Sequence, residues 1–203
     1  YAVGEAGSKE VRENNIGVWL TPAINIHRSP LCGRNFEYYS EDPLVAGKLA
    51  AAMVQGIQSQ HISACVKHFC CNNKETNRYA SDSRVSERAL REIYLQAFRI
   101  VVKEADVWAV MTAYNLLNGI YTSENTDLLS GILREEWGFD GLVVTDWVNW
   151  AEHYREVLAV NNVRMPHGSP RRLKKALECG MNGFLSKPIV IEELISTLQN
   201  SLG

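Results

Sequence analysis

In its last third the chain reads Gly141-Leu142-Val143-Val144-Thr145-Asp146-Trp147, a short apolar run followed by a threonine, an aspartate and a tryptophan. Such a run, rich in β-branched residues, is typical of a strand that is covered on both faces of a parallel sheet. Asp146 comes directly after the run, at the strand end where parallel α/β folds place their active sites. The stretch therefore predicts a parallel sheet with a candidate functional aspartate at its carboxyl edge.

The rest of the chain repeats this pattern, because short apolar segments alternate with longer segments of helical period. Such alternation predicts a parallel sheet, either closed as a barrel or open and doubly wound. The predicted strands are Gly17–Ile24, Ala64–Phe69, Ala109–Ala113, Gly141–Thr145, Asn162–Met165 and Gly183–Ser186. The predicted helices are Leu44–Gln58, Ser86–Glu104, Thr126–Trp137, Ala151–Leu158, Ser169–Cys179 and Ile191–Leu202.

The number of strands bears on whether the sheet closes. Six predicted strands are fewer than the eight of a complete (β/α)8 barrel, and 203 residues are fewer than the roughly 250 that such barrels use. We therefore predict an α/β fold with a parallel (β/α) barrel, or partial barrel, of TIM type. An unpaired edge strand readily recruits another chain, so the partial barrel also predicts a homo-oligomer formed through an open sheet edge.

Composition and charge exclude several classes of partner. Hydrophobic residues make up 46% of the chain and charged residues 22%, which is the balance of a soluble globular protein. The net charge of −2 argues against nucleic acid as a partner, and the apolar runs are too short to span a membrane. The amino end has no basic segment followed by an apolar one, so no signal peptide is predicted. The five cysteines fit neither a zinc site nor a disulfide framework, which favours reduced thiols in a cytoplasmic protein.

Polar side chains follow one predicted strand after another. The first strand leads towards Arg34 and Glu37, the second ends in Lys67-His68, the third leads to Tyr114, and the fourth to Asp146-Trp147. At the carboxyl edge of a parallel sheet these residues would surround one carboxylate with hydrogen-bond donors, beside a flat indole. Such a pocket suits a small, hydroxyl-rich ligand such as a sugar.

Glycoside cleavage needs one carboxylate at the anomeric carbon and a second carboxyl group that protonates the leaving oxygen. Asp146 fits the first role, and we expect Lys67 and Arg34 to keep it ionised. This chemistry requires neither a metal nor an organic cofactor. Other interpretations stay open at this level: Asp146 as a helix N-cap, Arg34 with Glu37 as a surface ion pair, and the aromatic residues as packing.

Four motifs carry a resemblance to a known family: Gly33 to Pro43, Val66 to Phe69, Met111 to Asn115 and Gly141 to Trp147. Together, from about Tyr1 to about Glu178, they resemble glycoside hydrolase family 3. The resemblance implies a retaining β-glucosidase that hydrolyses terminal non-reducing β-D-glucosyl residues. It further implies that Asp146 is the nucleophile. The residues that it implies as ligands of the sugar are Arg34, Lys67, His68, Tyr114 and Trp147.

Two parts of the family's usual active site have no counterpart in these residues. The resemblance implies that an aspartate gripping the terminal sugar lies upstream, and that the acid/base glutamate lies on a separate domain. Glu75 and Glu124 are present, but no motif makes either one the proton donor. We therefore expect impaired hydrolysis by this chain alone, and a catalytically inert chimeric or engineered scaffold stays open as the alternative.

The carboxyl end resembles a different family. Residues from about Lys175 to Leu202, with Lys187-Pro188 among them, resemble the last strand and helix of a response-regulator receiver domain. This resemblance implies a chimera, in which residues 1–178 form the barrel segment and a flavodoxin-like βα unit, 179–203, completes the same domain. A signalling function of receiver type is disfavoured, because nothing in the chain resembles the receiver's phosphoacceptor aspartate.

Overall fold

The computed structural model describes residues 1–178 of the chain. In chain order its elements are α1 (Ala2–Glu13), β1 (Val18–Trp19), a 3₁₀ turn (Asn35–Glu37), α2 (Pro43–Gln58), β2 (Ser63–Phe69), β3 (Asp82–Ser83), α3 (Glu87–Ala89), a π-helical segment (Leu90–Tyr94), α4 (Gln96–Ala105), β4 (Ala109–Thr112), β5 (Leu116–Leu117), β6 (Ile120–Tyr121), a 3₁₀ turn (Thr122–Glu124), a π-helix (Asp127–Glu136), β7 (Leu142–Val144), α5 (His153–Leu158) and α6 (Pro170–Glu178).

The main sheet contains four parallel strands in the order β1-β2-β4-β7. Along the chain, each strand of this sheet lies beside the next strand of the same sheet, as in a barrel wall, whereas a doubly wound sheet reverses its strand order at one point. A parallel bridge between Val144 and Val163 continues the sheet beyond β7. The predicted parallel α/β architecture is confirmed.

Two predicted strands are shorter than expected. Over Gly17–Ile24, only Val18–Trp19 pairs regularly with β2, and a single bridge joins Ala23 to Lys67. Pro22 lies between these pairings and has no N–H to donate, so the ladder is interrupted there. Asn162–Met165 contributes only the bridge at Val163. The predicted strand Gly183–Ser186 and helix Ile191–Leu202 lie outside the described residues.

The predicted helices are present with altered bounds or geometry. Leu44–Gln58 is helical from Pro43, where Asp42 caps the helix by accepting the N–H groups of Leu44 and Val45. Ser86–Glu104 is not one continuous α-helix, because a π-helical segment separates α3 from α4. The segments predicted as Thr126–Trp137, Ala151–Leu158 and Ser169–Cys179 correspond to the π-helix, α5 and α6.

Helix α1 was not predicted, and its contact with α2 explains why. The two helices pack closely at glycines, since a Cβ on Gly4 would collide with the carbonyl oxygen of Met53 and one on Gly56 with that of Tyr1. Contact through backbone and small residues leaves no broad apolar stripe in the sequence of α1. Periodicity therefore gives little sign of this helix.

The main sheet is open at β1, which pairs only with β2 among the described residues. Val18 on this edge is 38% exposed. We expect the chain to self-associate through this edge and Val18→Lys to weaken the association, because a lysine on an edge strand opposes further pairing. Sedimentation over a range of concentrations measures the effect, with Val3→Lys on the exposed face of α1 as the control. A strictly monomeric parent chain at high concentration would contradict the prediction.

Candidate active site

The carboxyl ends of the four main strands bring the predicted site residues to one edge of the sheet. Lys67 and His68 lie in the last part of β2, Tyr114 follows β4, and Asp146 follows β7. Among these side chains, His68 Nε2 lies 3.6 Å from Asp146 Oδ2. The structure thus brings these four residues to one rim, and Arg34 joins them through the ion pairs of Glu37 with Arg34 and Lys67.

Asp146 is a buried carboxylate with one oxygen fixed and one oxygen unpaired. The backbone N–H of Trp147 donates to Oδ1 with an N···O distance of 2.8 Å. Oδ2 is buried and accepts no hydrogen bond from the described residues. Asp146 therefore does not act as a helix N-cap here, since α5 begins seven residues later at His153.

Burial raises the pKa of Asp146, while the N–H of Trp147, the charges of Arg34 and Arg78 and the hydroxyl of Tyr114 act to lower it. Arg34 therefore favours the ionised form of Asp146, as expected, but burial is the largest contribution to the pKa and opposes it. Lys67 instead directs its ammonium group towards Glu37, with Nζ 3.7 Å from Oε2.

The raised pKa of Asp146 has a consequence for stability. The folded chain binds this proton more tightly than the unfolded chain does, so the favourable contribution of Asp146 is present at low pH and is lost as pH rises through the raised pKa. We therefore expect Asp146→Asn to raise the melting temperature at pH 7, with a smaller gain near pH 4. Thermal unfolding of both chains at the two pH values measures this. A lower melting temperature for Asp146→Asn at pH 7 would contradict it.

His68 is held by its backbone and stays neutral. Asn25 clamps it through two hydrogen bonds, accepting the N–H of His68 at 2.8 Å and donating to its carbonyl at 2.9 Å. Burial lowers the pKa of His68 well below its usual value, and the neighbouring charges of Arg34, Lys67 and Arg78 lower it further. Its Nδ1 is buried without a hydrogen-bond partner among the described residues, and its Nε2 faces the Asp146 carboxylate.

Arg34, Glu37 and Lys67 form one half-buried charge cluster. Arg34 Nε donates to one carboxylate oxygen of Glu37, and the ammonium group of Lys67 lies near the other. The Arg34 and Glu37 side chains are only 18% and 20% exposed, so they are not the loose surface pair that the sequence left open. Glu37 thus holds two cationic side chains at the rim.

Tyr114 is covered by Arg78, a residue that the sequence analysis did not identify. The guanidinium carbon of Arg78 lies 4.3 Å from the centre of the Tyr114 ring, and Arg78 is in turn bound by Glu75 at 3.0 Å. Tyr79 packs edge-on against the same ring, with 4.7 Å between the ring centres. Arg78 belongs to an irregular loop after β2, where no periodicity marks a residue as functional.

Two tryptophans after Asp146 are exposed. Trp147 is 48% and Trp150 61% exposed, so the interpretation of Trp147 as core packing is wrong. Trp150 stacks on Tyr79 with a ring separation of 5.5 Å and an interplanar angle of 17°. The rim thus offers flat apolar surfaces to solvent beside the buried carboxylate.

The two glutamates considered as proton donors already have partners. Glu75 is paired with Arg78, although its Oε1 is buried and unbonded within residues 1–178. Glu124 accepts the backbone N–H of Glu152 at 2.9 Å. Neither glutamate forms a hydrogen bond or an ion pair with Asp146 or His68, so the geometry assigns neither as the acid.

Other features of the described residues bear on the composition-based expectations. In this part of the chain no group of three His, Cys, Asp or Glu side chains could hold a metal ion. Cys32, Cys65, Cys70 and Cys71 are all free thiols. No helix within residues 1–178 is long and apolar enough to cross a membrane.

Comparison with known proteins points to one family. The model of the glycosyl hydrolase family 3 N terminal domain matches residues 1–202. Beta-glucosidase A of Butyrivibrio fibrisolvens is 62% identical over 178 residues, which cover 88% of this chain and 21% of that protein. An exo-alpha-(1->6)-L-arabinopyranosidase of Bifidobacterium longum is 47% identical over 168 residues, which cover 82% of this chain and 22% of that protein.

Solved structures agree with these sequence relatives. Beta-glucosidase 3B from Thermotoga neapolitana, in complex with glucose, superimposes with a TM-score of 0.85 at 47% identity, over 98% of this chain and 28% of that one. The chain spans about a fifth of the length of the two curated relatives described above. With the family model matching almost every residue, the chain belongs to glycosyl hydrolase family 3, as part of its N-terminal domain.

Proposed function

We propose that this chain carries the sugar-binding and nucleophilic part of a retaining β-glucosidase active site. The observation that carries the proposal is the buried Asp146 carboxylate, whose Oδ1 is fixed by Trp147 and whose Oδ2 accepts no bond from the described residues beside a neutral His68. A carboxylate with one free oxygen, at the carboxyl edge of a parallel sheet, can attack the anomeric carbon of a bound sugar.

The reaction would proceed in two displacements at Asp146. Oδ2 forms a bond to the anomeric carbon as the glycosidic bond breaks, and the leaving oxygen takes a proton from a general acid or departs as an anion. Water then attacks the anomeric carbon, loses a proton to a general base or to solvent, and displaces the Asp146 carboxylate, so that the sugar leaves with its original configuration. The neutral state of His68 suits this chemistry, because its ring nitrogens can hydrogen-bond to sugar hydroxyls without forming a tight ion pair with Asp146.

The other rim residues would bind the sugar. Arg34 and Lys67 supply charged donors that Glu37 holds in place, Tyr114 supplies a hydroxyl, and Trp147 an exposed indole face. We propose terminal non-reducing β-D-glucosyl groups as the substrate, in line with the names of the relatives. The arabinopyranosidase among them makes an α-L-arabinopyranoside the most informative alternative substrate.

Trapping of the glycosyl ester tests the nucleophile. An activated 2-deoxy-2-fluoro-β-glucoside should add one fluoroglucosyl unit to the intact chain, because the fluorine slows hydrolysis of the ester more than it prevents its formation. Peptide mass spectrometry should place the label on Asp146, and the matching arabinopyranoside tests the alternative sugar. A label on another carboxylate would remove the assignment of Asp146, and no label with either sugar would favour an inert scaffold.

The origin of the carboxyl end is a separate proposal. We infer from its resemblance that residues 179–203 are a receiver-like βα unit joined to the family 3 segment 1–178. The family 3 model also matches residues in this region, up to 202, so the two descriptions overlap. Deleting residues 179–203 tests whether they complete the domain, in which case the melting temperature of the shortened chain should fall.

A further inference from the structure

The segment from Trp147 to Glu152, here called the indole loop, joins Asp146 to helix α5. It carries two exposed indoles next to the candidate nucleophile, and its first N–H fixes Asp146 Oδ1. The conformation of this loop therefore determines both the orientation of the carboxylate and the position of the aromatic surfaces beside it.

Arg164 binds the backbone of the indole loop through two hydrogen bonds. Its Nη1 donates to the carbonyl of Ala151 at 3.0 Å and its Nη2 donates to that of Asn149 at 3.1 Å. The planar guanidinium fork can bind two carbonyl groups at once, which a lysine ammonium does not do in the same geometry. With only 12% of its side chain exposed, Arg164 is largely enclosed.

Glu156 fixes Arg164 in this position. Its Oε2 accepts from Nη1 of Arg164 at 2.5 Å, and its Oε1 accepts the hydroxyl of Ser123 at 2.8 Å. The Glu156 side chain is 1% exposed. A buried ion pair often adds no stability over apolar residues of similar volume, so its presence alone does not explain this arrangement. Here the ion pair orients the guanidinium group of Arg164 so that it donates to two carbonyls of the loop.

We propose that Arg164, oriented by Glu156, is a positioning residue that sets the conformation of the indole loop and thereby the placement of Asp146 and Trp147. Its catalytic consequence rests on the proposed glycosidase function, whereas its effect on the loop does not. The two parts can therefore be tested separately.

The loop is tested with the full chain labelled with 5-fluorotryptophan. The chain has five tryptophans, so fluorine NMR gives five signals, and the variants Trp147→Phe and Trp150→Phe assign the two of the loop. In Arg164→Met and Glu156→Gln we expect these two signals to shift or broaden while those of Trp19, Trp108 and Trp137 stay in place. Arg91→Met is the control, because Arg91 is likewise paired with a glutamate, Glu136, but on the outer surface, and its loss should leave the two loop signals in place.

The same variants test catalysis. Misplacing a reacting group by 1 Å can cost about 10²-fold, so we expect kcat/KM for nitrophenyl β-glucoside to fall by at least about tenfold in Arg164→Met. Arg164→Lys should recover only part of this loss, since it keeps the charge but not the fork. The double variant Glu156→Leu with Arg164→Met replaces the buried ion pair by apolar side chains that fill the same space. It should therefore fold, and it should show the same altered loop signals.

Unmoved loop signals in all of these folded variants would overturn the proposal, whatever the activity. Moved loop signals with unchanged kcat/KM would overturn its catalytic part. If the parent chain has no activity, the proposed function fails, and the fluorine signals still decide the role of Arg164 in the loop. Should Arg164→Met not fold, the double variant and Arg164→Lys provide the comparison, with a smaller expected change in Arg164→Lys.

Discussion

Replacing Asp146 by Asn should abolish almost all turnover of nitrophenyl β-glucoside by this chain. An amide is nearly the same shape as the carboxylate and can keep the hydrogen bond from the N–H of Trp147, but it cannot attack the anomeric carbon. Loss of a residue from a covalent catalytic unit costs on the order of 10⁴- to 10⁶-fold in kcat in other hydrolases, and we expect a loss in this range. Initial rates of nitrophenolate release measure it.

A matched control lies at the opposite end of the same strand. Asp140 is exposed and precedes β7, so Asp140→Asn makes the same chemical change away from the rim and should leave the rate unchanged. A further comparison uses Asp146→Ala with azide, which can enter the space of the missing carboxylate and give the α-glucosyl azide. Undiminished activity in Asp146→Asn would show that Asp146 is not the nucleophile.

The elements with strong periodicity were predictable because packing and sequence agree in them. The strands β2, β4 and β7 are mostly buried along their length, which reflects cover on both faces, and α2 has both an aspartate cap and an apolar side. Elsewhere the deciding interactions leave little trace in the pattern. The contact between α1 and α2 is made at glycines. The π-helical segments are too close in composition to α-helices to be distinguished.

One missed element did have a local signal. The hairpin of β5 and β6 turns at Asn118-Gly119, where both residues have positive φ. Asn-Gly is the preferred sequence of such a two-residue turn. It was overlooked because each strand has only two residues, which is too short for periodicity to be recognised.

The candidate site was predictable where its residues directly end a strand and was missed where loops contribute. Lys67, His68, Tyr114 and Asp146 belong to the first class, and position in the βα unit was enough to place them together. Arg78 reaches the site from an irregular loop, and Glu156 and Arg164 act through the backbone of another loop. The raised pKa of Asp146 was also missed, because the degree of burial cannot be read from neighbouring charges in a sequence.

Cellobiose should be hydrolysed far more slowly than nitrophenyl β-glucoside by this 203-residue chain. Nitrophenolate departs without a proton, whereas the glucose alkoxide of cellobiose needs one, and Glu75 and Glu124 are both engaged with other partners. Because neither of these glutamates within residues 1–178 is positioned as a general acid, the cellobiose reaction should lose the roughly 10²- to 10⁴-fold that such assistance contributes. Release of nitrophenolate and of glucose, measured at equal substrate concentrations, gives the ratio.

The rate of cellobiose hydrolysis also shows whether Glu75 or Glu124 acts as the general acid. If cellobiose were cleaved as readily as the aryl glucoside, a carboxyl group of this chain would be acting as the acid. Glu75→Gln and Glu124→Gln would then identify it, because loss of the acid slows cellobiose hydrolysis while nitrophenolate release remains fast. Glu75→Gln should instead slow both substrates alike if Glu75 only anchors Arg78 above Tyr114, since that contact shapes the sugar site and not the departure of the leaving group.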